Sequence, residues 1–434
     1  MRICGVIAEY NPFHNGHALH LKRARALSGA PALAVVMSGC FTQRGEAACC
    51  GKRARAAAAL AAGADLVAEL PFAYACAPAQ RFALGGVRLL AGLGCTDFCF
   101  GSECGELGAL EELAAFLAAE PEALRQGIAQ RMAAGFALPK ARELAALDCP
   151  GAPLDPERRQ ALLSSPNDGL ALEYLRANLA LCKPMKPHVV QREVGHHAEG
   201  VTGDMASGAA LRRELAEGGL SAALRRAVTP AMWEGLSRAP RVSGERLEVL
   251  LLWALRRAEP EEVRGWFDLP EALANGLYKH RYAGGVADIL EAATSRAATA
   301  SRLRRSWLHG LLGATEADAA ALRTAGEPLY ARLLGLRRGE VPGEIKRRAT
   351  VPLIAKAADF RPYGAQSRLW ALDCRAAELY ALLTGTEPDE DMRAGPVVIG
   401  QACAQGVTNR RTGICGGRGA GGGKRGVPGA VGQA

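Results

Sequence analysis

The chain has 434 residues, enough for two ordinary domains with a substantial core, and a formal net charge of +9. Its thirteen cysteines follow no regular spacing, which argues against a secreted disulfide framework and for a reducing compartment. No run approaches the roughly 18 apolar residues of a membrane span, and the opening "MRICGVIAEYNPF" turns polar too soon for a signal peptide, so a soluble cytoplasmic protein with no membrane partner is expected.

Over residues 1–218, short β-branched or apolar runs alternate with helix-like runs, the pattern of a parallel sheet covered by helices. Five runs, "ICGVIAEY", "ALAVVMSG", "ADLVAELP", "TDFCFGSE" and "PHVVQREV", predict five parallel strands, each closed by a polar or glycine-bearing turn. Ligands of such sheets bind beyond those carboxyl ends. Alanine-rich and leucine-rich segments such as "KRARAAAALAAG" supply the helices, with residues 121–175 as a helical insertion before the fifth strand. Cys95, Cys99 and Cys104 lie close together but lack a second thiol pair or a nearby histidine, so they read as small core residues and no metal site is expected.

From residue 219 to 394 the strand-like runs give way to helical periodicity, as in "SGERLEVLLLWALRRA" and "ATASRLRRSWLHGLLG". Residues 271–350 carry 13 Lys plus Arg against 8 Asp plus Glu, with clusters at Lys279 and Arg281, at Arg302, Arg304 and Arg305, and at Lys346, Arg347 and Arg348. Such clusters suit an RNA or phosphate surface, although any one of them is equally a solvated helix face. Residues 395–434 are glycine-rich and hold Arg410, Arg411, Arg418, Lys424 and Arg425 with no acidic residue, the composition of a flexible basic tail.

The stretch "EYNPFHNGHALHL" follows the first strand, where a helix should begin. A helix N-terminus offers free N–H groups and the positive end of the macrodipole, hence a place for an anion. Gly16 would let a phosphate approach the backbone, and His14 and His17 could donate to its oxygens as charge builds in phosphoryl or nucleotidyl transfer. The competing structural reading has one histidine capping the helix and the other packing on the sheet.

This HxGH resembles the signature of the nucleotidyltransferase superfamily. Together with "VMSGCFTQRGE", "FGSECGEL", "SSPNDGLALEYL", "VVQREVGHH", "ASGAALRREL" and "KHRYAGGVADIL", it resembles the bacterial tRNA-methionine cytidine acetate ligase family from Met1 to about residue 386. The resemblance implies a Rossmann-like α/β nucleotidyltransferase domain over residues 1–218, an all-helical tRNA-binding domain over residues 219–394, and the tail. It implies an ATP site made by Ile7, Ala8, Glu9, Tyr10, Asn11, Pro12, Phe13, His14, Asn15, Gly16, His17, Ala18, Leu19 and His20, with Gly101, Asn167 and Arg192; His14 and His17 would be catalytic. Arg44, Ser207 and Arg212 are possible phosphate or substrate contacts, and Lys279, Arg281, Arg302, Arg304 and Arg305 would meet tRNA. Two positions depart from the family: Ala209 where a threonine is usual, and Asp168 where an asparagine is common. A carboxylate near a triphosphate is repulsive unless it faces away or helps hold Mg²⁺.

By resemblance, ATP, with Mg²⁺, activates acetate as acetyl-adenylate, and the acetyl group passes to the wobble cytidine of elongator tRNA-Met; no obligate protein partner is evident. Two alternatives fit parts of the chain: a nucleotidyltransferase acting on a small metabolite, and an RNA-binding module with a vestigial nucleotide site.

Overall fold

The computed structural model describes residues 1–192, 204–296, 298–326 and 329–400. The five expected strands are present: β1 (Ile3–Ala8), β2 (Ala32–Ser38), β3 (Leu66–Leu70), β4 (Asp97–Ser102) and β5 (Lys186–Gln191). All four neighbouring pairs among them are parallel, in the order β5-β4-β1-β2-β3. Both faces of such a sheet are covered, so its inner strands read as unbroken apolar runs, and β2 is buried at all seven positions. Alternate residues feed two cores. Ala32, Ala34 and Val36 pack on one face, and Leu33, Val35 and Met37 on the other.

Chain order reverses about β1, with β2 on one side and β4 on the other, so the crevice between the β1 and β4 ends is the topological switch point where a ligand is expected. Helix α1 (Asn15–Ser28) starts there and ends at Gly29, whose φ of 61° is the left-handed stop that glycine accepts without strain. Helix α2 (Lys52–Ala61) follows β2. The expected insertion is formed by the helices Glu122–Ala133, Leu138–Asp148, Pro156–Ser164 and α3 (Pro166–Leu179). Next come α4 (Gly208–Glu217), further helices including α5 (Ala300–Leu311), and the long α6 (Ala365–Thr384).

Between Gly218 and Thr324 the described residues are helical, as expected, but the chain then returns to the sheet. Ala331–Arg337 forms β6, antiparallel to β3, and β6 pairs in turn with β7 (Leu353–Ile354) and β8 (Val397–Ile399). An open β3 edge would leave a row of unpaired backbone groups, and β6 covers it. The segment 219–394 is therefore not all-helical. Residues 397–399 belong to the sheet rather than to a tail, because the apolar Val-Val-Ile run has an edge to pair with. The expected tail beyond residue 400, with its five basic residues, and the end of "VVQREVGHH" lie outside the described residues.

Met1–Gly400 forms one compact unit, and the break expected at Gly218 does not separate two bodies. One core runs from Ile3 and Phe98 to Trp307 and Leu369, and the other joins Val35 and Leu60 to Leu224 and Met232. Buried charge ties the same parts together. Lys52 Nζ donates to Glu69 Oε1 at 2.7 Å and to Asp391 Oδ2 at 2.8 Å, and Arg332 Nη1 of β6 reaches the same Asp391 oxygen at 2.5 Å. Cys95 and Cys99 serve opposite cores, and burial pushes both thiols up.

Arg55 of α2 is fully buried and donates only to backbone carbonyls: Glu9 O at 2.8 Å, Ser38 O at 3.0 Å, Cys50 O at 3.1 Å, and Gly39 O. Its planar fork gathers the chain leaving β1 and the chain leaving β2 onto one side chain. Arg55→Met should strand these carbonyls and lower the unfolding free energy by about 3 kcal/mol, read by urea unfolding.

Candidate active site

The chain leaving β1 turns sharply at Tyr10, whose φ of 52° lies in the left-handed region. Its ring holds it there, edge-on to Phe13 at 4.7 Å and to His17 at 4.8 Å. His14 is the residue before α1, in extended backbone, and its N–H donates to His17 Nδ1 at 3.2 Å. That bond leaves His17 Nε2 as the ring's donor. The two imidazoles stack with centroids 3.6 Å apart. Gly16 permits this arrangement: a Cβ there would sit 2.9 Å from His14 Cε1. The glycine thus makes room for a histidine ring, a reason nearer to hand than approach of a phosphate.

A cavity of about 320 Å³ opens on these residues at the β1/β4 switch point. Three helix N-termini border it: α1 through His14, Gly16 and His17, α3 through Pro166 and Asn167, and α4 through Gly208 and Ala209. Their dipoles add positive potential where Arg44, Arg192 and Arg212 also stand. Of the sequence candidates, Ile7, Ala8, Glu9, Tyr10, Asn11, His14, Gly16, His17, Leu19, His20, Arg44, Gly101, Asn167, Arg192 and Arg212 line the cavity.

Five candidates do not line it. Phe13 is core, and Pro12 forms the cis Asn11–Pro12 peptide behind the turn. Asn15 donates to the carbonyls of Asp204 and Arg226, each at 2.8 Å. Ala18 faces away with α1, next to Leu21 and Lys22. Ser207 caps α4, its hydroxyl accepting from Ala210 N at 3.1 Å. Residues the sequence did not single out complete the wall, among them Phe82, Phe100, Tyr174, Val190 and Met205. Their apolar or aromatic character was visible, but only the topology brings them to one crevice.

Asp168 is turned away from the cavity. Its carboxylate accepts from Ser102 Oγ at 2.5 Å and Glu103 N at 2.8 Å, closing the turn after β4. Glu103 in turn accepts from Asn167 Nδ2 at 2.6 Å and Ser165 Oγ at 2.8 Å, fixing the Asn167 amide at the cavity wall. Arg212 reaches Asn11 O at 2.9 Å and so joins α4 to the loop before α1.

Four polar atoms of the wall are buried without a hydrogen-bond partner among the described residues: Tyr10 Oη, His14 Nδ1, Gln43 Nε2 and Arg192 Nε. Buried polar groups are seldom left so, and together they suit a ligand rich in acceptor oxygens. Glu9 is the one carboxylate on the described wall. Burial raises its pKa, while the Gln43 N–H, 2.6 Å from Oε1, draws it back. Burial pushes His14 down to about 3, helped by Arg192, and pushes His20 down to about 4 against the opposing bond to the Phe100 carbonyl. His17 is also driven well below its ordinary value by burial, with His14 adding to the effect. At neutral pH these rings are neutral donors and acceptors.

The basic clusters divide. Arg304 pairs with Glu46 at 3.3 Å, and Arg305 donates to Gln43 O at 3.1 Å. Both are half-buried braces of the loop from Gln43 to Glu46, and Arg302 beside them is half-buried too. Arg304 and Arg305 are thereby less open than the sequence suggested, because their charges face partners contributed by the loop after β2. Arg347 and Arg348 share Glu344. Lys279 is exposed, and Arg281 stacks over Tyr278 at 3.9 Å and over the exposed Tyr282 at 4.5 Å.

The HIGH Nucleotidyl Transferase family model matches residues 1–394. The tRNA(Met) cytidine acetate ligase of Acetivibrio thermocellus is 33% identical over 374 residues, 83% of this chain and 89% of that protein. That of Alkaliphilus metalliredigens is 34% identical over 400 residues, 88% and 94% of the two chains. The chain belongs to this ligase family of HIGH nucleotidyltransferases. Its fold agrees: Thermotoga maritima TmcAL in its apo form superposes with a TM-score of 0.83 at 26% identity, over 92% of this chain and 100% of that one. The same Thermotoga protein bound with alpha-thio ATP gives a TM-score of 0.81 at 27% identity over the same shares.

Because His14 and His20 hold a proton less tightly folded than unfolded, the unfolded state takes up more protons as pH falls below about 6.5. Stability should therefore drop between pH 6.5 and about 4, with His14 extending the loss to about 3. His20→Asn should flatten this slope in urea unfolding measured from pH 7 to 5.

Proposed function

We propose that the protein is an ATP-dependent tRNA cytidine acetate ligase that forms acetyl-adenylate and acetylates the N4 amine of the wobble cytidine of elongator tRNA-Met. The reading is carried by the placement of His14 and His17 at the α1 N-terminus, on a cavity bordered by three helix dipoles and unpartnered polar atoms. It is supported by the names of the relatives and by the ATP analogue held by the Thermotoga protein.

In the first step an acetate oxygen attacks the α-phosphorus, the bond from that phosphorus to the bridging oxygen breaks, and pyrophosphate leaves. His17 Nε2–H, the free N–H groups of α1 and Arg192 stabilise the growing charge; neutral imidazoles supply hydrogen bonds and take up positive charge as the phosphates raise their pKa. In the second step the cytidine amine attacks the acetyl carbonyl, the C–O bond to AMP breaks, AMP departs, and the proton lost by the amine passes to the AMP phosphate or to water. That lone pair is delocalised into the ring, so positioning must supply much of the rate. Among the described residues no group of three His, Cys, Asp or Glu could hold a metal, and Glu9 is the sole carboxylate on the cavity wall. Mg²⁺ would therefore arrive on the ATP phosphates.

No described helix is long and apolar enough to cross a membrane, and tRNA as substrate supports action in the cytoplasm. Incubation with ATP, Mg²⁺, labelled acetate and total tRNA should yield acetylcytidine only when all are present; a metabolite nucleotidyltransferase would ignore both tRNA and acetate. His14→Ala with His17→Ala should reduce acetate-dependent exchange of pyrophosphate into ATP by at least about 100-fold while tRNA affinity stays nearly intact.

For the tRNA surface, Lys279, Arg281 and the exposed ring of Tyr282 offer charge and a stacking face together. Lys279→Glu with Arg281→Glu should weaken tRNA binding at least about tenfold in a filter-binding assay and reduce its salt dependence, with ATP affinity unchanged.

A further inference from the structure

A second cavity, of about 950 Å³, lies on the other side of the loop from Gln43 to Glu46. The two cavities meet at this loop: Gln43 and Arg44 line the first, Gly45 and Glu46 the second, and Arg212 lines both. We infer that this second cavity receives the target cytidine, flipped out of the anticodon loop, beside the acetyl-adenylate. The inference rests on the ligase reading above and names the place where its acceptor binds.

The walls suit a planar base. Leu215, Leu236, Leu247 and Leu251 offer apolar surface for its faces. Glu46 Oε1 and Arg304 Nη1, 3.3 Å apart and each about one-third exposed (37% and 34%), set an acceptor beside a donor. Cytosine presents the complement, an amine donor next to ring acceptors, whereas uracil would turn a carbonyl oxygen toward the Glu46 carboxylate. One amine hydrogen held by Glu46 leaves the nitrogen lone pair perpendicular to the ring, free to approach the acetyl carbon. Glu46 and Arg304 would thus be positioning residues for the base. Arg241 stands exposed at the rim, where a flanking phosphate would pass. Glu248, also on the wall, is engaged by Val286 N at 3.0 Å. The volume, at the upper end of the range of small-molecule sites, is ample for a nucleoside.

The test separates adenylation from transfer. Ala216 is exposed on α4 and lines the second cavity but not the first, so Ala216→Trp fills the acceptor site alone; Leu220→Trp, at an exposed rim position, does the same from another residue. Both variants should keep acetate-dependent pyrophosphate exchange, measured without tRNA, within about twofold and lose acetyl transfer to tRNA at least about tenfold. In Glu46→Gln, CMP should lose its advantage over UMP as an inhibitor of transfer. Transfer at wild-type rates in Ala216→Trp and Leu220→Trp would overturn the assignment, as would equal loss of exchange and transfer. If the unsubstituted protein shows no acetate-dependent exchange, the ligase reading itself falls, an outcome distinct from the other two.

Discussion

A single buried guanidinium fixes where the chemistry can happen. Arg55 donates to carbonyls on the chain leaving β1, the chain leaving β2 and the approach to α2, and no other side-chain type offers five donors in one rigid plane. The Glu9 carbonyl is held just before Tyr10 enters the left-handed region, and that turn leads to His14 in front of α1. With the Ser38 and Gly39 carbonyls held, the loop from Gln43 to Glu46 is brought back so that the Gln43 N–H meets Glu9. The turn before α1 and the start of the braced loop after β2 are thus both tied to one side chain.

The electrostatics follow from that placement. Three helix N-termini and four arginines, Arg23, Arg44, Arg192 and Arg212, border the cavity, and in this field the histidines are held neutral by burial and by the nearby Arg192. A triphosphate reverses the balance, since each added negative charge favours the protonated imidazole. The rings can therefore acquire charge in step with the reacting phosphate rather than carrying it beforehand. Asp168, which by composition alone looked unfavourable here, is used on the outside of the site, where it closes the turn after β4 and places Glu103 to orient Asn167.

The five parallel strands were legible because burial on both faces leaves an unbroken apolar run, and the HxGH because its residue types and its position after β1 point to the same chemistry. β6 was hidden for a physical reason. Its "ARLLGLR" lies in a helical stretch and carries Arg332, which reads as solvent-facing until Asp391, 59 residues on, is brought to meet it. Arg55 was hidden likewise, since in "KRARAAAALAAG" it resembles any surface-helix arginine and its partners are carbonyls, which leave no trace in composition. Arg304 and Arg305 show the converse. A sequence counts charges, but only the fold reveals that Glu46 and the Gln43 carbonyl use two of them.

These braces bear on how the two halves of the chain cooperate. The loop between the cavities is held from the first half through Glu9 and from the second through Arg304 and Arg305 on α5. The helical segment accordingly braces a loop that borders the site, and it is joined to the sheet by a common core and by β6 rather than tethered beside it. A vestigial nucleotide fold carried by such a module would be expected to satisfy its own buried donors. Here Tyr10, His14, Gln43 and Arg192, which all line one cavity, each keep a buried polar atom unpartnered among the described residues, at a cost of about 1–3 kcal/mol apiece. A ligand in the cavity would satisfy those that it reaches, and the cationic, donor-rich lining calls for phosphate and ribose oxygens.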